Sequence, residues 1–234
     1  MIPLHDDNPT ERTPVVTILI MATCVLVFFY QASLPPASGE AFVFQYGAIP
    51  SLVFGHAHLP DEVVAVPAVM TLVTSMFLHG GWMHLIGNML YLWVFGNNIE
   101  DAMGHGRFIV FYLACGILAA LSHAITDFTS QIPMVGASGA ISGVLGAYVL
   151  LFPRAHVLVL IPGIGMTRVA AGFVLGMWFV TQLISSGMSM GATGGGVAFF
   201  AHIGGFVAGM SLIGLFKRSD IRFFSPGPLR RWDR

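Results

Sequence analysis

The chain has 234 residues, of which 56% are hydrophobic and 9% charged, and its mean hydropathy is +0.80. Soluble domains carry about 25% charged residues, so no solvated surface can be assembled from this composition and the chain reads as an integral membrane protein. Ten Lys and Arg against eleven Asp and Glu exclude a basic nucleic-acid binder, the hydrophobicity excludes a disordered chain, and Cys24 and Cys115, both in apolar runs, read as buried thiols rather than a disulfide framework.

A membrane-crossing helix needs about 20 mostly apolar residues. Residues 1–13 read as a short cytoplasmic N-terminus. The first apolar run, 14–34, lacks a basic lead-in and continues past twenty residues, so it reads as a retained span, not a signal peptide. A loop at 35–81 follows, and a stretch of this length without regular structure implies a function. Its segments PSLVFGHAHLP and AVMTLVTSMFLHGG are apolar but too short to span. They read either as an element lying in the interface or dipping into the membrane, or as a lipid-facing cap. Further spans are predicted at 82–101, 106–126, 136–153, 167–186 and 197–216, followed by a basic cytoplasmic tail at 217–234. The fold class expected is an all-α, six-span membrane bundle forming one domain over 1–234.

Charge placement tests the span count. Six crossings put Arg12, Arg107, Arg154, Arg168, Lys217, Arg218, Arg222, Arg230, Arg231 and Arg234 on one side, while the loops at 35–81, 127–135 and 187–196 contain no Lys or Arg. A miscounted span splits these charges. The positive-inside rule then makes both termini cytoplasmic.

Polar groups inside spans are costly and are functional candidates by default. No Asp or Glu lies well inside a span, which disfavours carboxylate-driven pumps and aspartyl chemistry, and there is no HExxH zinc motif. The remaining candidates are His79, His84 and Asn88 at the start of span two, His123 near the outer end of span three, Ser138 and Ser142 in span four, and His202 in span six. Spans two, four and six run in the same direction, so early residues in each share a depth. His202 follows the Gly194-Gly195-Gly196 turn by about six residues, roughly 9 Å of helix.

The chemistry of these residues is complementary. A serine hydroxyl needs a base, usually His, and the oxyanion formed on attack needs fixed donors. His84 and Asn88, at i and i+4, share one helix face, and the Ser138 amide at a helix start is a third donor. Small-residue stripes at Gly139, Gly143 and Ala147 and at Ala201, Gly205 and Gly209 allow spans four and six to approach closely. Alone, these glycines fit a transporter equally well, and the histidines fit interhelical hydrogen bonding.

Three ordered stretches carry a resemblance: His79-Gly-Gly-Trp-Met-His84-Leu-Ile-Gly-Asn88, Gly136-Ala-Ser138-Gly139, and Ala201-His202-Ile-Gly-Gly205-Phe-Val-Ala-Gly209. The sequence resembles the rhomboid family of intramembrane serine proteases. A lone GxSG is weak evidence, but three motifs in order at the right helix starts are strong. The resemblance implies a six-helix rhomboid-like bundle, and the short termini without a presequence point to a prokaryotic plasma membrane. Ser138 is then the nucleophile and His202 the base. His84, Asn88 and the Ser138 amide form the oxyanion hole, and His79 anchors the first outer loop. It implies no cofactor or metal, membrane-protein substrates cut next to a small residue, and an active site opening to the outer side. Ser142 stands where some bacterial members carry an aromatic residue stacked on the histidine, and the Trp-Arg pair common in the first outer loop is missing. The rival readings are a client-binding relative without activity, which typically lacks the serine or the histidine, and a small transporter.

Overall fold

In the computed structural model, which describes residues 1–60, 63–189 and 198–225, each predicted span is a helix. The elements in chain order are β1 (Ile2–Asp6), α1 (Val15–Ser33), α2 (Pro36–Tyr46), α3 (Pro50–Val53), α4 (Thr71–Thr74), α5 (Trp82–Met103), α6 (His105–Ala124), α7 (Ser138–Leu151), β2 (His156–Ile161), β3 (Gly165–Ala170), α8 (Ala171–Ser189) and α9 (Phe199–Phe216). The protein is a mostly helical, multi-pass membrane protein. Four helices, α1, α6, α8 and α9, are each long and apolar enough to cross a bilayer. Residues 68–77 and α5, which meet at 82°, are together long and apolar enough for a fifth, as one broken span or as a re-entrant segment followed by a helix. Large apolar side chains such as Leu26, Ile86, Val110, Ile184 and Leu215 remain exposed on five of the helices. Lipid tails are as apolar as these side chains, so their exposure carries no penalty in a membrane.

The remaining predicted span, span four, is α7 and has only 14 residues. Residues Ala140 through Tyr148 are all buried, because α7 packs against α5, α6 and α9. Its neighbours, rather than lipid, supply its apolar environment. Around it the core is aromatic, with Phe95, Phe108, Phe111, Tyr112 and Tyr148 fully enclosed. Cys24 and Cys115 are free and buried in the same core.

Two expectations are corrected. The fold is not all-α: β1, β2 and β3 form an antiparallel sheet with β2 in the centre. Val157, Val159 and Leu160 pair with β1 and also with β3. Residues 167–170, expected at the start of span five, belong to β3, because their backbone groups pair with His156 to Val159 before α8 begins. The 35–81 loop carries regular elements, as its apolar segments suggested. It contains α2, α3, α4 and two 3₁₀ turns at Ala68–Met70 and Ser75–Phe77. Residues 190–196 of the predicted outer loop, including the triple-glycine turn, lie outside the described residues, as do Arg230, Arg231 and Arg234 of the tail.

The sheet gathers the charged end of the bundle. Asp7 N donates to His156 O at 2.9 Å, Glu11 N to Asp101 Oδ2 at 3.0 Å, and Arg218 N to Ala102 O at 2.9 Å. These bonds draw the N-terminal segment, the α5–α6 junction, the β2–β3 hairpin and the segment after α9 to one end. That end carries Arg12, Arg107, Arg154, Arg168, Lys217, Arg218 and Arg222, every Lys and Arg among the described residues. Buried Glu100 closes the start of α1 by accepting from Val16 N at 2.9 Å and from Thr17 N and Oγ1 at 2.7 Å each. A carboxylate there satisfies unpaired amides and complements the helix dipole.

Asp6, the last residue of β1, is buried and accepts a 2.6 Å hydrogen bond from Tyr148 Oη of α7. Burial pushes its carboxyl up from the ordinary 3.8 to about 6. The folded state thus holds the proton more tightly than the unfolded chain. Stability from this group is complete below pH 3.8 and is lost as pH rises through about 6. Asp6→Asn keeps an acceptor for Tyr148 and removes the ionisation. Thermal unfolding in detergent should therefore show a flatter pH dependence over that window than in the parent protein.

Candidate active site

The site is built where α7 begins. Ser138 is the first residue of α7, and no side chain caps the helix. The amides of its first turn have no carbonyl one turn back to bond and are available as donors. His202 lies in the first turn of α9. Its Nε2 is 2.8 Å from Ser138 Oγ across the α7–α9 contact. Backbone proximity makes this possible. A Cβ built on Gly205 would fall on the Gly139 carbonyl, and one on Gly209 would fall on the Gly143 backbone. Both small-residue stripes named from the sequence are thus used at one interface.

His84 and Asn88 of α5 face the loop that leads into Ser138. Gly136 has φ +124°, which side-chain-bearing residues rarely adopt, and a Cβ there would lie 2.7 Å from both Cε1 and Nε2 of His84. The same point is 3.7 Å from Asn88 Nδ2. Gly80 N donates to His84 Nδ1 at 3.3 Å, which leaves the ring proton on Nε2, the nitrogen beside Gly136. Asn88 is buried, and its Nδ2 has no hydrogen-bond partner among the described residues. Buried donors are nearly always paired, so an idle one needs an explanation. Two N–H donors thus converge beside the residue two places before Ser138.

The remaining candidates are placed as follows. His79 is fully buried, its ring 5.2 Å from that of His84, and its carbonyl accepts from Gln31 Nε2 of α1 at 3.0 Å. The outer loop is thereby tied to the bundle. Ser142 is buried and donates to the Ser138 carbonyl at 2.6 Å, so its hydroxyl is turned into its own helix. His123 lies in the last turn of α6, its Nδ1 buried without a hydrogen-bond partner among the described residues. Among the described residues no hydrogen bond joins it to Ser138, His202, His84 or Asn88. The loop before Ser138 is held from outside by Gly136 N donating to Ser75 O at 2.9 Å and by the paired bonds between Ala48 and Met134 at 2.8 and 3.0 Å.

Sequence reasoning missed two residues, both on α8. Gln182 Oε1 lies 2.8 Å from His202 Nδ1, and the Trp178 ring is 5.8 Å from the His202 ring, tilted by 39°. The aromatic neighbour that Ser142 cannot supply comes from a different helix. The available signal was a glutamine inside an apolar span, one helical turn after a tryptophan.

A multi-pass helical bundle with a serine and a histidine in hydrogen-bond contact beside idle N–H donors has the parts of a membrane-embedded acyl-transfer site. The Rhomboid domain model matches residues 67–219, well over half of the chain, and the protein belongs to the rhomboid family. It is similar to Rhomboid protease GluP of Bacillus subtilis, 34% identical over 60% of this chain and 26% of that protein. It also resembles the putative rhomboid protease YdcA of the same organism, 30% identical over 59% of this chain and 62% of that protein. Rhomboid protein 1, mitochondrial, of Saccharomyces cerevisiae is 29% identical over 62% of this chain and 41% of that protein. The chain therefore spans less than two thirds of each relative's length.

Proposed function

We propose that this protein is an intramembrane serine endopeptidase that cuts peptide bonds in or next to transmembrane segments of other membrane proteins. The observation that carries this reading is the 2.8 Å contact between Ser138 Oγ and His202 Nε2. His202 removes the hydroxyl proton as Ser138 attacks the scissile carbonyl, then delivers it to the leaving amine. The Ser138 amide, Asn88 Nδ2 and His84 Nε2–H stabilise the oxyanion, and His79 holds the outer loop against the bundle. A substrate helix has its peptide groups bonded internally, so it unwinds locally before attack, which favours segments with helix-weakening residues. The gathering of Lys and Arg at the end remote from Ser138 supports cytoplasmic termini and a site opening to the outer side.

A fluorophosphonate probe tests the reading. Wild-type protein should be labelled on Ser138 and the Ser138→Ala variant should not. Single-span substrates incubated with wild type should yield fragments identifiable by mass spectrometry. An unlabelled wild type overturns the proposal and leaves a non-enzymatic membrane role. Asn88→Ala should lower kcat by about 10²–10³, the typical cost of one oxyanion donor. An Asn88→Ala enzyme with wild-type kcat removes that residue from the oxyanion hole.

A further inference from the structure

We propose that Gln182 is a positioning residue, which holds His202 in the one tautomer able to take the Ser138 proton; the inference rests on the protease reading above. A neutral imidazole carries its proton on either nitrogen, and only the form with a bare Nε2 can accept from Ser138 Oγ. In soluble serine proteases a buried carboxylate makes that choice. No carboxylate is seen to bond the His202 ring among the described residues, and its Nδ1 meets Gln182 Oε1 at 2.8 Å.

The surroundings of the amide decide which end of it faces the ring. Thr181 Oγ1 donates to the Trp178 carbonyl at 2.6 Å, so only a lone pair of that hydroxyl faces Gln182. The Gln182 amide nitrogen lies 3.3 Å from Thr181 Oγ1 and 3.3 Å from Trp178 O. Two acceptors therefore take the NH₂ group, and reversing the amide would set its oxygen against both. The carbonyl is left to face Nδ1, and a carbonyl can only accept. Nδ1 must carry the proton, and Nε2 is bare toward Ser138. Trp178 and Gln182, one turn apart on α8, contact the same imidazole and limit its rotation, while Phe199 of α9 stands edge-on at 6.4 Å and 88°.

The chain Thr181–Gln182–His202–Ser138 is thus polarised in one direction, each proton pointing away from the hydroxyl that must be deprotonated. It does the work of an orienting third group without placing a charge within the bilayer. The contacting atom belongs to α8, while the base and the nucleophile belong to α9 and α7.

¹⁵N NMR of histidine-labelled protein reads the tautomer directly, with His202 assigned by difference against His202→Gln. The resting wild-type enzyme should show a protonated Nδ1 and a bare Nε2. A proton on Nε2 overturns the proposal. Gln182→Leu keeps the bulk and loses the acceptor, and kcat should fall about 10- to 100-fold with KM little changed. Gln182→Glu in its protonated form donates its O–H to Trp178 O or Thr181 Oγ1 in place of the NH₂ group and still accepts from Nδ1, so it should restore most of that loss. Wild-type kcat in Gln182→Leu, or equal impairment in both variants, overturns the role of the acceptor. Fluorophosphonate labelling of wild type separates the two questions: labelled protein with an indifferent Gln182 leaves the protease intact and removes only the positioning. Unlabelled protein removes the protease whatever the tautomer.

Discussion

Ser138→Ala and His202→Ala should each reduce turnover of a single-span substrate in proteoliposomes to background, a loss on the order of 10⁶ if the pair behaves as in soluble serine proteases. The two groups act as one unit through the 2.8 Å contact, so the double variant should be no slower than either single one. Within a membrane there is little to replace the base. Among the described residues no other base is hydrogen-bonded to Ser138 Oγ, and His84 Nδ1 is occupied by the Gly80 amide. Additive losses in the double variant, or a His202→Ala enzyme that retains more than a small fraction of the rate, would mean that another base serves Ser138.

The second large effect is on folding. Gly205→Val and Gly209→Val should each destabilise the bundle severely, because the added carbon meets backbone atoms of Gly139 and Gly143 rather than side chains that can rotate away. Overpacking into side chains costs about 1–3 kcal/mol, and a backbone collision at the same point should exceed that range. For a chain of this size about 2–4 °C of midpoint accompanies each kcal/mol, so the unfolding midpoint in detergent should drop by several degrees or the protein should fail to accumulate. Gly176→Val on α8 is the control, since nothing lies within 4 Å of its added carbon. If Gly209→Val melts with Gly176→Val, the close α7–α9 contact is not what holds the bundle. Where folded protein is recovered, activity should fall with stability, since the same contact brings Ser138 to His202.

Sequence alone was enough for the helices and for most of the candidate site, for a physical reason. Apolar runs must be helical in lipid, and a serine, a histidine or an asparagine inside such a run is rare enough to be noticed. The sheet was hidden because HVLVLI has the hydropathy of a span fragment, while one of its two partners, β1, lies some 150 residues before it in the chain. Span five was started too early for the same reason: TRVA is apolar enough to join the helix, and only its pairing with β2 assigns it to a strand. Glu100 could be placed at a helix end, but not assigned to the start of α1, because capping across helices leaves no local pattern. Gln182 escaped because an amide neither ionises nor attacks, and its partner lies on another helix. Trp178 looks like any aromatic within an apolar span until the ring beside it is known.

Residue Leu151 of α7 lies at the charged end, where its carbonyl accepts from Ser225 N at 2.8 Å. Fourteen residues rise about 21 Å, against about 30 Å of hydrocarbon. On the proposed reading the shortfall of about 9 Å falls at the Ser138 end, so the hydroxyl would lie below the outer lipid surface at a depth set by bilayer thickness. Vesicles of short-chain phospholipid should bring the headgroups closer to that hydroxyl and quicken hydrolysis. Long-chain vesicles should slow it, at equal amounts of folded protein, which would make acyl length a control on the proposed activity independent of any change in sequence.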